Sequence, residues 1–267
     1  MDKIIVADVA GLKIGKGYPV VIQTMCNCNT NDIDTAVAQC QELTAAGAQM
    51  IRLTTQGLRE VESLRIIKEK LHASGNFTPL VADIHFSSEA AVAAAAVADK
   101  VRINPGNFAK EHEVAKREFK RFIEVCKGHS TAVRIGINHG SLGKRITELY
   151  GNTAQGMKEA MVEWVEMCLE ENFTNIVLSL KASNTVVMVE AYRLLNRWME
   201  EKGVIFPLHL GVTEAGNGEM GRIKSAAALA TLLGEGIGET MRVSLSEPPV
   251  NELPVAHAIA DYFKRGH

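Results

Sequence analysis

The chain has 267 residues, 46% of them apolar, and a formal net charge of −2 at pH 7. That length suits the roughly 250 residues of a (β/α)8 barrel, so a single domain spanning 1–267 is expected. The near-neutral balance argues against a nucleic-acid or membrane-surface protein, and an aromatic content of 5% leaves no stacking platform for single strands.

Residues 1–18 predict a cap, in which 4–9 and 12–14 form a short hairpin that plugs the N-terminal end of the barrel. Short apolar runs with polar punctuation then predict strands at 20–25, 50–54, 80–84, 101–104, 132–138, 176–181, 208–213 and 241–245. Segments of helical period lie between them, such as 34–46, 115–126, 157–170 and 186–200. Regular alternation implies a parallel sheet with covering helices, and eight units in this length favour closure. The expected class is therefore α/β, a (β/α)8 TIM barrel. An open doubly wound sheet is the runner-up, but no GxGxxG turn follows the first strand. No apolar run is long enough to span a bilayer. The cysteines, Cys26, Cys28, Cys40, Cys126 and Cys168, are odd in number and lack Cys-x-x-Cys spacing. With no leader-like N-terminus, they suggest reduced thiols and a cytoplasmic location.

The informative signal is charge inside strands. Arg52, Arg102, Arg134 and Arg242 each sit in an aliphatic run, and Lys181 ends Leu-Ser-Leu-Lys. Alternation turns the flanking aliphatics toward the helices and these cations into the barrel, near the C-terminal face where barrel active sites lie. A buried cation is costly unless paired, and the acids in view, Asp83 and Glu214, are too few. A phosphate or diphosphate ligand would supply the missing charge, bidentate on Arg and as a point contact on Lys. Individual arginines can instead make structural ion pairs, and the set carries the argument. Thr54, Asn104, Asn138, Ser179, Ser183 and Ser244 share the strand ends, either as substrate contacts or as helix caps. Asp83 and His85 are spaced as an acid/base pair, although two such groups do not make a metal site. Glu214 is placed to act as a general acid or to neutralise the cations. His209 reads as a core histidine. Cys26 and Cys28 are expected to face the mouth, without forming a disulfide or a cluster site.

Several segments in order carry a resemblance. They are Pro79-Leu-Val-Ala-Asp-Ile-His-Phe, Val101-Arg-Ile-Asn-Pro-Gly-Asn, Arg134-Ile-Gly-Ile-Asn-His-Gly-Ser-Leu, Lys181-Ala-Ser-Asn, Pro207-Leu-His-Leu-Gly-Val-Thr-Glu-Ala-Gly, Gly221-Arg-Ile-Lys-Ser-Ala and Arg242-Val-Ser-Leu. Together they resemble the barrel domain of 4-hydroxy-3-methylbut-2-enyl diphosphate synthase, and residues 51–57 resemble its larger, three-domain type. The resemblance implies an oxidoreductase of isoprenoid biosynthesis by the methylerythritol phosphate route. Its substrate would be 2-C-methyl-D-erythritol 2,4-cyclodiphosphate, gripped by Arg52, Arg102, Arg134, Lys181 and Ser244. Asn138 and Arg242 would complete the pocket, with Asp83 and Glu214 as its catalytic acids.

The resemblance also implies a [4Fe–4S] cluster on a separate domain, fed by flavodoxin or ferredoxin. This chain holds no cluster ligands by that comparison, so it is expected to need a cluster domain in cis or in trans and to be inactive without one. Association into a homodimer stays open. The first loop departs from the family, reading Met-Cys-Asn-Cys for the usual Met-Thr-Asn-Thr. Two alternatives stand beside this reading: a dihydropteroate synthase-like enzyme, and a non-catalytic anion-binding barrel.

Overall fold

Aliphatic residues at alternate positions let each strand bury both faces, one against its neighbours across the barrel and one under a helix. The structure is a computed structural model describing residues 2–109 and 111–264; residues 1, 110 and 265–267, which include both ends of the expected domain, lie outside the described residues. The units run β1 (Val21–Met25), α1 (Ile33–Ala45), β2 (Met50–Thr54), α2 (Leu58–Ala73), β3 (Leu80–Asp83), α3 (Ser88–Ala95), β4 (Lys100–Ile103) and α4 (His112–His129). They continue with β5 (Ala132–Asn138), α5 (Ala154–Glu170), β6 (Ile176–Lys181), α6 (Thr185–Lys202), β7 (His209–Leu210), α7 (Gly218–Gly234), β8 (Thr240–Met241) and α8 (Glu252–Lys264).

The eight strands are parallel, in the order β7-β8-β1-β2-β3-β4-β5-β6. A parallel bridge between Leu178 and Leu208 closes the seam between β6 and β7. At that seam the Tyr192 hydroxyl, from α6, accepts from the Leu180 amide at 3.0 Å and donates to the His209 carbonyl at 2.5 Å. One side chain thus replaces part of the ladder, and β7 is two residues long where 208–213 was expected. β8 is short for a similar reason: the Leu245 amide donates to the Glu252 carboxylate at 3.2 Å and the Ser246 amide to the Gly216 carbonyl at 2.9 Å. β4 stops at Ile103 because Asn104 turns to cap the short helix Pro105–Phe108, its side chain accepting from the Gly106 amide.

The barrel interior changes character along its axis. At the N-terminal end Val21, Met50, Val81, Ala132 and Val177 form an apolar floor. The antiparallel hairpin of Ala7–Val9 and Leu12–Ile14 plugs it with Ala7, Val9 and Ile14. The hairpin is shorter than expected, because Lys3–Ile4 pairs in parallel with Val204–Ile205 instead. Two residues further along each strand, the inward positions turn polar. The larger apolar core lies outside the barrel wall, beneath the helices. Among the described residues no helix is long and apolar enough to cross a membrane.

Candidate active site

Register sets the charged positions side by side toward the C-terminal ends of the strands: Met25 beside Arg52, Thr54 beside Asp83, Asp83 beside Arg102, Arg102 beside Arg134 and, four residues further along, Asn138 beside Lys181. Arg52, Asp83, Arg102, Arg134, Asn138, Lys181, Arg242 and Ser244 line one cavity of about 100 Å³ at the C-terminal mouth, with His85, Val212 and Thr213. Larger clefts, of about 350 Å³ between α4 and α5 and about 570 Å³ near the N-terminal hairpin, lie away from these groups.

Within the cavity the acids are fully engaged. Arg102 Nη1 donates to Asp83 Oδ1 at 3.2 Å, and Arg52 Nε lies 3.5 Å from Asp83 Oδ2. His85 Nε2 stands 3.2 Å from the same carboxylate and 2.9 Å from Arg102 Nη1, so Asp83 and His85 form one contact group with Arg102. Burial alone would raise the Asp83 pKa. The charges of Arg52 and Arg102, with the His85 hydrogen bond, overcome it and hold the carboxyl well below its usual value. A carboxylate held ionised in this way orients two arginines and is a poor proton donor at neutral pH.

The sequence reading missed the second acid. Glu252, at the start of α8, is buried and accepts from Arg242 Nε at 3.0 Å and Arg242 Nη2 at 2.9 Å. In the sequence it looks like an ordinary acidic residue in a first helical turn; only the turn after β8 brings it under Arg242. Met25 was missed as well. Its sulfur accepts from Arg52 at 3.2 and 2.9 Å and lies 3.4 Å from Arg242 Nη1.

Asp83 and Glu252 cannot neutralise all five cations. Arg134 is 1% exposed, makes no ion pair among the described residues, and has Nε and Nη1 without a partner. Among the described residues Lys181 likewise makes no ion pair with an acid. Burial, then Arg134 and Arg52, push the Lys181 pKa well below that of an ordinary lysine. Arg52 is lowered to about 10, by burial first and by Arg242 and Arg102 against the pull of Asp83. These shifts share one cause: the pocket carries excess positive charge in a desolvated place.

Two backbone positions make room for that charge. A Cβ on Gly136 would lie 2.6 Å from Arg102 Nε, and one on Gly211 would lie 2.8 Å from Lys181 Nζ. Arg102 Nη2 also donates to the Gly136 carbonyl at 3.1 Å.

Other expected residues lie elsewhere. Glu214 is exposed on the loop after β7, with φ of +51°, and does not line the cavity. Cys26 does not face the mouth. Alternation points Met25 inward and turns Cys26 outward onto α1, where its sulfur lies 3.6 Å from that of Cys40. Cys28 is half-buried nearby, and Cys126 and Cys168 are buried under α4 and α5. Among the described residues no group of three or more His, Cys, Asp or Glu side chains is placed to hold a metal, so the cysteines present do not fit an iron–sulfur cluster. His209 is buried with Nδ1 3.3 Å from Thr240 Oγ1 and Nε2 unpartnered. Arg222, near the start of α7, is bidentate on Glu247 at 2.7 and 2.8 Å, outside the cavity.

Residues 4–257 match the family described as the GcpE TIM-barrel domain. The chain belongs to that family. It is 49% identical over 276 residues to the 4-hydroxy-3-methylbut-2-en-1-yl diphosphate synthase (flavodoxin) of Parabacteroides distasonis, covering 97% of this chain and 45% of that protein. It is 44% identical over 269 residues to the ferredoxin-named synthase of a Synechococcus strain, covering 94% of this chain and 66% of that one. The chain thus spans less than half the length of relatives such as the first. A GcpE barrel also shares its fold with more distant proteins. The structure of dihydropteroate synthase from Stenotrophomonas maltophilia superposes with a TM-score of 0.64 over 96% of this chain and 98% of that one, at 15% identity. That likeness shows the fold alone.

Proposed function

We propose that this chain is the substrate-holding barrel of a 4-hydroxy-3-methylbut-2-enyl diphosphate synthase, and that its cation pocket grips 2-C-methyl-D-erythritol 2,4-cyclodiphosphate. The observation that carries this reading is the unpaired charge. Arg134 and Lys181 are buried without acids at the point where Arg52, Arg102 and Arg242 converge, and Arg134 holds free donors. A diphosphate supplies acceptor oxygens and negative charge to all of them. Asp83 and Glu252 hold their arginines in fixed orientations, which lowers the ordering cost of binding. Asn138 and Ser244 are placed for the hydroxyls or bridging oxygens.

The reaction read for the whole protein opens the cyclic diphosphate reductively, taking up electrons and protons and releasing water. Glu214, on its exposed loop, is the chain's candidate acid for that water, because Asp83 is held ionised. The electrons would come from a [4Fe–4S] domain beyond this barrel, in cis or in trans, reduced by flavodoxin or ferredoxin. The names of the relatives support that supply. A cavity of about 100 Å³, small for a ligand site, accords with a mouth completed by another domain. The cytoplasmic location belongs to the same reading.

Calorimetric titration tests it. The chain should bind the cyclic diphosphate, leave it unreacted, and bind less tightly in added salt. Arg134→Ala should weaken binding by about 1.5–3 kcal/mol, the range for a hydrogen bond to a charged group. Glu214→Gln should spare binding and impair turnover once a cluster domain is supplied. Tight binding of a pterin diphosphate, with none of the cyclic diphosphate, would overturn the assignment.

A further inference from the structure

Beneath the pocket lies a deeper polar layer that the anion-binding reading leaves unused. Lys100 stands two residues before Arg102 on β4, on the same inward face, and is 0% exposed. Its Nζ donates to Gln23 Oε1, from β1, at 3.2 Å. It makes no ion pair among the described residues.

The charges around it are of one sign. Arg134 on β5 and Arg52 on β2 act on it directly, and Arg102 stands above it on its own strand. His209 on β7 and Lys181 on β6 belong to the same field, since Lys100 and Lys181 both act on His209. The acids are committed elsewhere: Asp83 on β3 to Arg52 and Arg102, and Glu252 on α8 to Arg242. Gln23 Nε2, Arg134 Nε and Nη1, and His209 Nε2 all lack partners in this interior. An ammonium here would be an uncompensated buried charge. Burial first, then Arg134 and Arg52, push the Lys100 pKa well below that of an ordinary lysine.

We propose that Lys100 is the proton-linked cation of the anion site: an amine in the empty barrel that takes a proton from solvent when an anion occupies the pocket above it. The inference rests on the proposed anion-binding role of the pocket. A bound dianion offsets Arg134 and Lys181, relieves the repulsion that adds to burial in disfavouring the ammonium, and draws the Lys100 pKa upward. The new ammonium then adds positive charge directly beneath the ligand. The amine is thus a positioning and tuning group that touches no reacting atom.

The sign of the effect follows from linkage. The empty barrel holds the lysine pKa low and the bound anion raises it. Between those two values binding takes up a proton; below both, Lys100 is charged throughout and uptake vanishes. Affinity therefore falls as pH rises between the two values and levels off above the bound-state value, where the ammonium is formed in neither state. Lys181 and His209 feel the same field and can add uptake of their own, so the decisive quantity is the difference between wild type and Lys100 variants.

The test is calorimetric titration of the chain with the cyclic diphosphate in buffers of different ionisation enthalpy. Each phosphorus of that ligand carries a single strongly acidic hydroxyl, so the ligand is fully ionised and exchanges no protons itself. Wild type should take up as much as about one proton per ligand at pH values between the empty-barrel and bound-state values, with affinity falling by up to about tenfold per pH unit where uptake is complete. Lys100→Met should lose that uptake. Gln23→Glu should lose it as well, because a permanent carboxylate partner keeps Lys100 charged in the empty barrel; this variant keeps the lysine if Lys100→Met fails to fold. Binding with wild-type uptake in either folded variant would overturn the inference while leaving the anion site standing. No binding to the wild-type chain would instead remove the anion-site reading, and the inference with it.

Discussion

Gly211 shows how little separates a packed barrel interior from a cation pocket. Its missing side chain is the space taken by the Lys181 ammonium, 2.8 Å from where a Cβ would stand. A methyl group there meets the end of a lysine, which can move, and stands 3.1 Å from the Arg242 carbonyl, a contact eased by a shift of a few tenths of an ångström, so the fold should tolerate it. The position of the charge should not survive. Gly211→Ala is expected to weaken binding of the cyclic diphosphate by about 1–2 kcal/mol, the scale of one disturbed charge-assisted hydrogen bond, with little change in Tm. Calorimetry and thermal melting together check this. Unchanged affinity would mean that Lys181 does not reach the ligand. Gly136 does the same for Arg102, but there the obstructed atom is Nε, closer to the backbone and costlier to displace.

At the scale of the element, β1 and the turn after it divide two kinds of sulfur chemistry. Met25 points into the mouth and supports Arg52; Cys26, one residue on, faces α1 against Cys40. Cys28 follows at the rim, half-buried, and hydrogen bonding with Cys26 lowers its thiol pKa to about 7. Cys26 takes the opposite shift from the same pairing, and burial raises Cys126 and Cys168. Cys28 should therefore be the first thiol alkylated by iodoacetamide, with a rate that climbs through a midpoint near pH 7. Mass mapping of partially labelled protein would show it. Earlier labelling of Cys26 or Cys40 would contradict the arrangement of this turn. α8 acts on the site from the other side, since its first residue, Glu252, holds Arg242.

At the scale of the whole molecule, the barrel is closed by few backbone bonds, and one of its ties is titratable. Glu239 precedes β8; its carbonyl accepts from the Val21 amide at 2.9 Å and its carboxylate from the Leu208 amide at 2.7 Å. Burial raises its pKa from 4.5 to about 7, against the pull of that amide. A raised acid favours the folded state fully below the unfolded value, and this contribution is lost as pH rises through the folded value. Stability from this residue should therefore fall between about pH 4.5 and pH 7. Glu239→Gln keeps an acceptor for Leu208 and removes the titration. It should be more stable than wild type at pH 8 by about 2–3 kcal/mol, and nearly equal to it below pH 5. Denaturant unfolding at both pH values decides this; parallel pH dependence in the two proteins would place the Glu239 titration outside this seam.

Local periodicity makes much of this protein legible in its amino-acid order alone. Alternation along Met-Ile-Arg-Leu-Thr, Val-Arg-Ile-Asn and Val-Arg-Ile-Gly states which side chains face inward, and closure of a parallel sheet then brings Arg52, Arg102 and Arg134 to one level. The barrel class, the strand-end cations and the family all follow from patterns within a few residues of one another. What the tertiary structure alone decided are relations across the barrel. The sequence does not show that Glu252 reaches Arg242, that Glu214 stays at the rim, that Tyr192 replaces part of the ladder at β7, or that Lys100 lacks an acid. The reason is physical. Which face a side chain takes is set by the two-residue period of its own strand. Whether its charge is paired depends on side chains from distant strands and helices, and on how far burial excludes water from them.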